Sequence, residues 1–137
     1  MKATLNRLAL LSALLLVLSA VLPAAQGHHS YAATYDVSRF ITLEGRLVRF
    51  DLRAPHSYLH VQAPDENGDV QRWAVEWSAP SSLSRQGISR DSLSTGDNVI
   101  LTVRPSRVNG EFRALMLTLE RPSDGMTWGQ NPDEEVD

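Results

Sequence analysis

Arg53-Ala-Pro-His-Ser-Tyr-Leu-His-Val61, answered after a turn by Arg72-Trp-Ala-Val-Glu-Trp77, decides how this chain is read. In the first segment Ser57, Leu59 and Val61 alternate with His56, Tyr58 and His60. That period of two separates the faces of a β-strand. Pro55 disfavours helix in the residue before it. Residues 64–69, Pro-Asp-Glu-Asn-Gly-Asp, carry an Asn-Gly turn signal, and the return segment puts Trp73, Val75 and Trp77 on one face. The two segments read as a β-hairpin. It gathers two of the four histidines, two of the three tryptophans and the carboxylate Glu76, so a functional site is expected to touch it.

Upstream, Ile41 to Phe50 predicts a long first strand. Its apolar face passes from Ile41, Leu43 and Leu47 to Val48 and Phe50, and Gly45 just before the change marks a bulge or bend. Downstream, Pro80 at a first helical position and Gly87 as terminator predict one short helix over about 80–86. Ser89 to Asp97 is a loop ending in a Gly-Asp turn. Val99, Leu101 and Val103 predict a fourth strand, Asn109-Gly110 a second hairpin turn, and Leu115, Leu117 and Leu119 a fifth strand. The fold expected is mainly β, a small five-stranded OB-like barrel with one short helix between strands 3 and 4. A generic five-stranded roll has the same content. The expected core includes Leu47, Leu59, Val75, Val99, Leu101 and Leu117.

Residues 1–27 read as a cleaved secretory signal peptide, which places the protein in the periplasm. Lys2 and Arg7 form a basic start, and Leu8 to Leu22 is an uncharged apolar run shorter than the ~20 residues of a membrane span. Cleavage after Gly27 puts Ala25 and Gly27 at the small-residue positions and begins the mature chain at His28; cleavage after Ala25 is the alternative. Residues 28–121 are then one barrel domain with an N-terminal arm. Residues 122–137, Pro- and Gly-rich and then acidic, are expected to form a disordered tail from which Trp128 can fold back onto the barrel. Without Lys2 and Arg7 the mature chain keeps 11 basic residues, all Arg, against 16 acidic ones, a net charge of −5. That balance argues against a nucleic-acid partner. The absence of Lys excludes Schiff-base chemistry, and the absence of Cys excludes disulfides, thiol catalysis and thiolate metal sites. Neither a nucleophile elbow nor a Gly-rich phosphate loop is present. The expectation is a binding module rather than an enzyme. Its partner would be an unknown small ligand or an envelope protein, with no membrane insertion after signal cleavage.

Several short motifs recur in one order: His28-His29-Ser30, Asp36, Glu44-Gly45, Pro55-His56, Trp73-Ala-Val-Glu76-Trp77 and Arg90-Asp91-Ser-Leu93-Ser-Thr-Gly96-Asp97. In order and spacing they resemble the exported bacterial domain of unknown function 6152 family. This chain has Arg53-Ala54 before Pro-His where that family more often has a polar Asn. The resemblance implies an OB-like exported domain and supplies no catalytic residues.

Two binding chemistries follow from the residues. The barrel face of strands two and three offers Tyr58, Trp73, Glu76 and Trp77 as ligand-face candidates, with Tyr58 and one Trp able to stack a sugar or a base. The alternative is Cu(II). A chain starting at His28 offers an α-amine and an imidazole on one residue. His56 or His60, which share a strand face and are read as close enough for joint ligation, supplies a further nitrogen. Cleavage after Ala25 would instead give Gln26-Gly27-His28, with a third-position His suited to square-planar Cu(II).

Overall fold

The computed structural model describes residues 31–129. The expected signal peptide, His28, and the last part of the expected tail, 130–137, lie outside the described residues. A short helix, α1 (Tyr31–Thr34), precedes β1 (Ile41–Asp51), β2 (Tyr58–Pro64) and β3 (Val70–Glu76). Helix α2 (Pro80–Arg85) follows, then β4 (Asn98–Pro105), β5 (Arg113–Arg121) and β6 (Met126–Gly129). The strand order is β3-β2-β1-β4-β5-β6, and β3 also pairs with β5 in parallel. That last pairing closes strands β1 to β5 into the OB-like barrel, with α2 between β3 and β4 as expected.

Closure demands a long first strand that changes partners along its length. β1 pairs with β4 over Ile41 to Arg46 and with β2 over Arg46 to Asp51. The β1–β2 register shifts between Leu47 and Arg49, which makes Val48 the bulged residue. Gly45 serves a different need from the expected bulge. A Cβ there would lie 2.2 Å from the Gln62 carbonyl oxygen, so the strands approach too closely for any side chain.

The interior is filled by alternate residues of every strand. Leu43, Leu47, Leu59, Val61, Val75, Val99, Leu101 and Val103 are buried, and so are Leu83 of α2 and Leu93 of the following loop. Leu117 is a correction. The β4–β5 register runs from Thr102↔Thr118 to Val103↔Met116, so Leu117 is an extra residue opposite no partner. Ala114, Met116 and Leu119 point inward around it, and Leu117 is only half-buried.

The Ser89–Asp97 loop closes the base of the barrel. Leu47 N–H donates to the Asp97 carbonyl, and Gly96 N–H to the Leu47 carbonyl, each at 2.8 Å. The Asp97 carboxylate accepts from Ser94 N–H at 3.0 Å and from Arg121 at 2.7 Å. Together these hold its carboxyl below the usual aspartate range against the opposing effect of burial. The start of the expected tail also belongs to the sheet. Met126–Gly129 pairs with β5, and Trp128 packs edge-on against Trp77 at 4.8 Å while its Nε1 donates to Gln86 of the α2 cap at 2.6 Å. Turn bonds from Arg121 to Asp124 reverse the chain and make this return possible.

Leu101, fully buried on β4 between β1 and β5, is the most direct test of this core. Leu101→Ala is expected to cost about 2–5 kcal/mol in chemical denaturation, from lost transfer energy plus a cavity. A loss below about 0.5 kcal/mol would be the value of a surface substitution and would contradict the packing.

Candidate functional site

The hairpin alternation holds, and it divides the expected ligand face in two. Trp73 and Trp77 point into the barrel, 6% and 2% exposed, with Val75 between them. They pack against Phe112 and against Phe50 and Trp128, respectively. Neither can share a stacking surface with Tyr58 and Glu76, which occupy the opposite, outer face of the same hairpin. One residue of strand parity separates the two sets.

On that outer face Tyr58 lies directly across from Glu76. The ladder continues one step past the strands: Trp77 N–H donates to the Ser57 carbonyl at 2.8 Å, and Ser57 N–H to the Ser78 carbonyl at 3.2 Å. His56 is thereby carried to a diagonal position beside Glu76, and its Nδ1 meets Glu76 Oε1. The other carboxylate oxygen accepts from the Tyr35 hydroxyl at 2.5 Å. Glu76 is 6% exposed although it faces outward, because the N-terminal arm lies over it. A carboxylate so buried is tolerated only when its oxygens are hydrogen-bonded, and here both are.

The arm is pinned by the segment that joins β4 to β5. Tyr35 bridges to Ser106, Asp36 N–H donates to the Pro105 carbonyl at 2.8 Å, and Arg107 N–H donates to the Thr34 carbonyl at 3.0 Å. Arg107 Nε reaches the Ala32 carbonyl at 2.6 Å, and Arg104 donates to the Val37 carbonyl. Tyr35 is 1% exposed. The Tyr31 ring stands 5.9 Å from the His56 ring, and the Arg53 guanidinium lies 5.7 Å from the Tyr58 ring centre, within cation–π range. Arg113 of β5 is close enough to interact with both Tyr35 and Tyr58. The site is therefore Tyr31, Tyr35, Arg53, His56, Tyr58, Glu76 and Arg113, drawn from the arm, the hairpin and β5.

The candidate histidines are not brought together. Four residues of strand separate His56 from His60, about 13 Å at ~3.3 Å per residue, which rules out joint ligation of one ion. Each also has its own carboxylate. His60 Nε2 lies 3.2 Å from Asp51 Oδ2 and 3.3 Å from Arg49. Burial would raise the Asp51 carboxyl, but the hydrogen bonds from Arg49 and His60 overcome it and hold the group low. Among the described residues no three His, Cys, Asp or Glu side chains are grouped to hold a metal ion. His28 lies outside the described residues. His56 nonetheless has the posture of a prepared ligand. A carboxylate only accepts, so Nδ1 carries the N–H, and whenever the ring is neutral its lone pair is on Nε2.

Comparison of the sequence with protein-family models matches residues 15–115 to a family of unknown function, DUF6152. The chain belongs to that family. The DUF6152 match spans β1 to β4 and the first part of β5, so it covers the hairpin, Glu76 and Arg113 alike. Comparisons with curated proteins and with solved structures return no match. Of the seven site residues, sequence reasoning reached His56, Tyr58 and Glu76, named Arg53 only as a departure from the family pattern, and missed Tyr35, Tyr31 and Arg113. No local pattern marks those three: the arm has no periodicity, and the β3–β5 pairing that delivers Arg113 joins segments far apart in the chain.

Burial, then the hydrogen bond to Glu76 and its charge, push the Tyr35 phenol far above its ordinary value of 10.0. Tyr31 and Tyr58 are raised too, by burial first and by the Glu76 charge second. The folded protein thus prefers neutral phenols. This stabilisation is complete below pH 10 and is lost as the pH rises beyond it. Spectrophotometric titration should show delayed phenolate formation coupled to alkaline unfolding. Tyr35→Phe should weaken that dependence and cost about 1.5–3 kcal/mol at neutral pH. Three phenols titrating together near pH 10 in an intact fold would contradict the site.

Proposed function

We propose that this chain is exported to the periplasm and works there as a small β-barrel binding module rather than an enzyme, with the outer face of the β2–β3 hairpin as its recognition surface. The observation that carries the reading is Glu76. A carboxylate is buried on the outside of a barrel, where it holds His56 and Tyr35 in place beneath accessible side chains. Structural burial of an acid is costly, and this one is spent on orienting a surface. Around it Tyr58 lies between Arg53 and Arg113, and Arg53 has no carboxylate partner among the described residues. An exposed guanidinium over an aromatic ring suits a ligand with a carboxylate or phosphate group.

A second reading is Cu(II) binding, and the His56–Glu76 pair favours it. A carboxylate on Nδ1 with Nε2 open is the usual support of a metal-binding imidazole. Tyr31 packs beside His56, and a chain starting at His28 has only three further residues to span, about 10 Å when extended. An amine and imidazole from His28 with Nε2 of His56 would give three nitrogens.

Both readings are tested on protein recovered from the periplasm. Its mass should correspond to a start at His28; full-length chain in the membrane fraction contradicts export. In NMR titrations with inorganic phosphate and with succinate, the Tyr58, Arg53 and Arg113 signals should move, and an Arg53→Ala/Arg113→Ala variant should lose the response while staying folded. Signals that stay still with both anions contradict the anion-binding face. Cu(II) affinity should fall sharply on His56→Ala and on extending the N-terminus by one residue; indifference to both contradicts the copper reading.

A further inference from the structure

The described barrel is almost balanced in charge, and the excess acid of the chain lies beyond it. Residues 31–129 hold 11 arginines against 12 of the 16 acidic residues, whereas Asp133, Glu134, Glu135 and Asp137 put the other four into a stretch of five. Seven of the arginines are engaged. Arg39, Arg49, Arg113 and Arg121 pair with carboxylates, and Arg90, Arg104 and Arg107 donate to backbone carbonyls. The guanidinium groups of Arg46, Arg53, Arg72 and Arg85 meet neither among the described residues. Three of these four share one surface. Arg46, Gln62 and Arg72 form one outward row across β1, β2 and β3, and Arg53 lies over Tyr58 two rows further on. Arg113 stands in the row between, beside Ala74.

An exposed arginine is ordinarily satisfied by water, so an unpaired one carries nothing by itself. The direction of the chain after β5 gives these arginines a partner. β6 and β3 take the same edge of β5, β6 opposite Thr118 to Arg121 and β3 opposite Arg113 to Leu115. β6 runs antiparallel to β5, so it heads towards the end of β3. Gly129 pairs with Thr118, three residues of β5 from the Leu115 partner of Glu76, about 10 Å at ~3.3 Å per residue. On the same basis the Tyr58 backbone under Arg53 is about 11 Å from Gly129, Arg113 about 17 Å and Arg72 about 23 Å. Asp133 is four residues beyond Gly129 and Asp137 eight, an extended reach of about 13 to 26 Å. The four carboxylates therefore span the same distances as the three arginines.

We propose that the acidic segment 133–137 folds back onto the outer face of the β2–β3 hairpin and occupies Arg53, Arg72 and Arg113 as a tethered anion, competing there with any anion from outside. Carboxylates and guanidinium groups are matched in charge and in hydrogen-bonding geometry. Each exposed pair is weak alone, but a tether of a few residues holds the carboxylates at a millimolar effective concentration. The competition rests on the anion-binding reading proposed above, whereas the fold-back stands on the placement of charges and strands.

The chain has no cysteine, so Val136→Cys supplies a single thiol for a nitroxide label on protein recovered from cells with its tail intact. At low salt the label should broaden the NMR amide signals of Tyr58, Arg72 and Ala74. The broadening should be lost at about 1 M salt, where charges are screened beyond ~3 Å. It should also be lost in Asp133→Asn/Glu134→Gln/Glu135→Gln/Asp137→Asn, whose changes lie outside the barrel. Without the label, that variant should bind succinate about three- to tenfold more tightly than the native chain. Broadening confined to β6 and to α2, where Arg85 stands, would overturn the fold-back. So would broadening that survives loss of the tail charges, or that disappears on dilution and so belongs to a second copy. Equal succinate affinity in the two forms would overturn the competition. Absence of succinate binding in both would overturn the anion-binding reading and the competition with it, while the broadening still decides the fold-back.

Discussion

A sheet of five strands becomes a barrel only where its last seam holds, and here that seam is short. β3 meets β5 through three register pairs, Ala74↔Arg113, Val75↔Ala114 and Glu76↔Leu115. Ala74 N–H donates to the Phe112 carbonyl at 2.9 Å and extends the seam by one bond. Parallel pairs are slightly weaker per residue than antiparallel ones, and closure also brings together segments distant in sequence. The Tyr35–Glu76 hydrogen bond lies across this seam. Tyr35 is anchored at Ser106, beyond the end of β4, and its hydroxyl reaches over β5 to β3. One buried contact thus ties the arm, both sides of the closure and the base of His56.

The same contact explains why the outer hairpin face has chemistry on it. An outward-facing glutamate on a strand would ordinarily be solvated and unconstrained. Covered by the arm, its oxygens lose water, and that cost is offset only by fixed donors. His56 and Tyr35 are those donors, so their positions follow from the carboxylate. Tyr58, Arg53 and Arg113 are arranged around a rigid centre rather than a mobile one. The family loop Arg90 to Asp97 has a separate part in the fold: its Asp97 and Gly96 bond to Leu47 and Arg121 at the barrel base.

Much of the fold was legible in the sequence, for local reasons. Alternation in Ser57–Val61 and Trp73–Trp77, Asn-Gly turns, and a Pro–Gly bracketed helix are signals within a few residues of one another. The errors came where a single residue breaks the period. Leu117 reads as core by alternation and is displaced by a bulge set by its partner strand. Met126–Gly129 looks like tail by composition, yet Trp128 gains Trp77 and Gln86 as partners. In the site, the outward position of Glu76 opposite Tyr58 was readable from strand parity. Its burial was not, because Tyr35 comes from an aperiodic arm and Arg113 from across a non-local seam. Strand parity also separates Trp73 and Trp77 from the outer face, although they neighbour Tyr58 and Glu76 in the sequence-level hairpin.

The central claim is that the Glu76 carboxylate holds the arm against the closed barrel. Hydrogen exchange on Glu76→Gln tests it most directly, since the amide replaces one of the two oxygens that meet Tyr35 and His56 with a donor NH2 and removes the charge that strengthens both bonds. The amides of Asp36 and Arg107, which bond the arm to the β4–β5 segment, should lose about ten- to a hundredfold in protection, the worth of a hydrogen bond to a charged group. The amides of Leu59 and Leu101 in the barrel should keep theirs. Protection unchanged at Asp36 and Arg107, or lost uniformly across the barrel, would contradict the account.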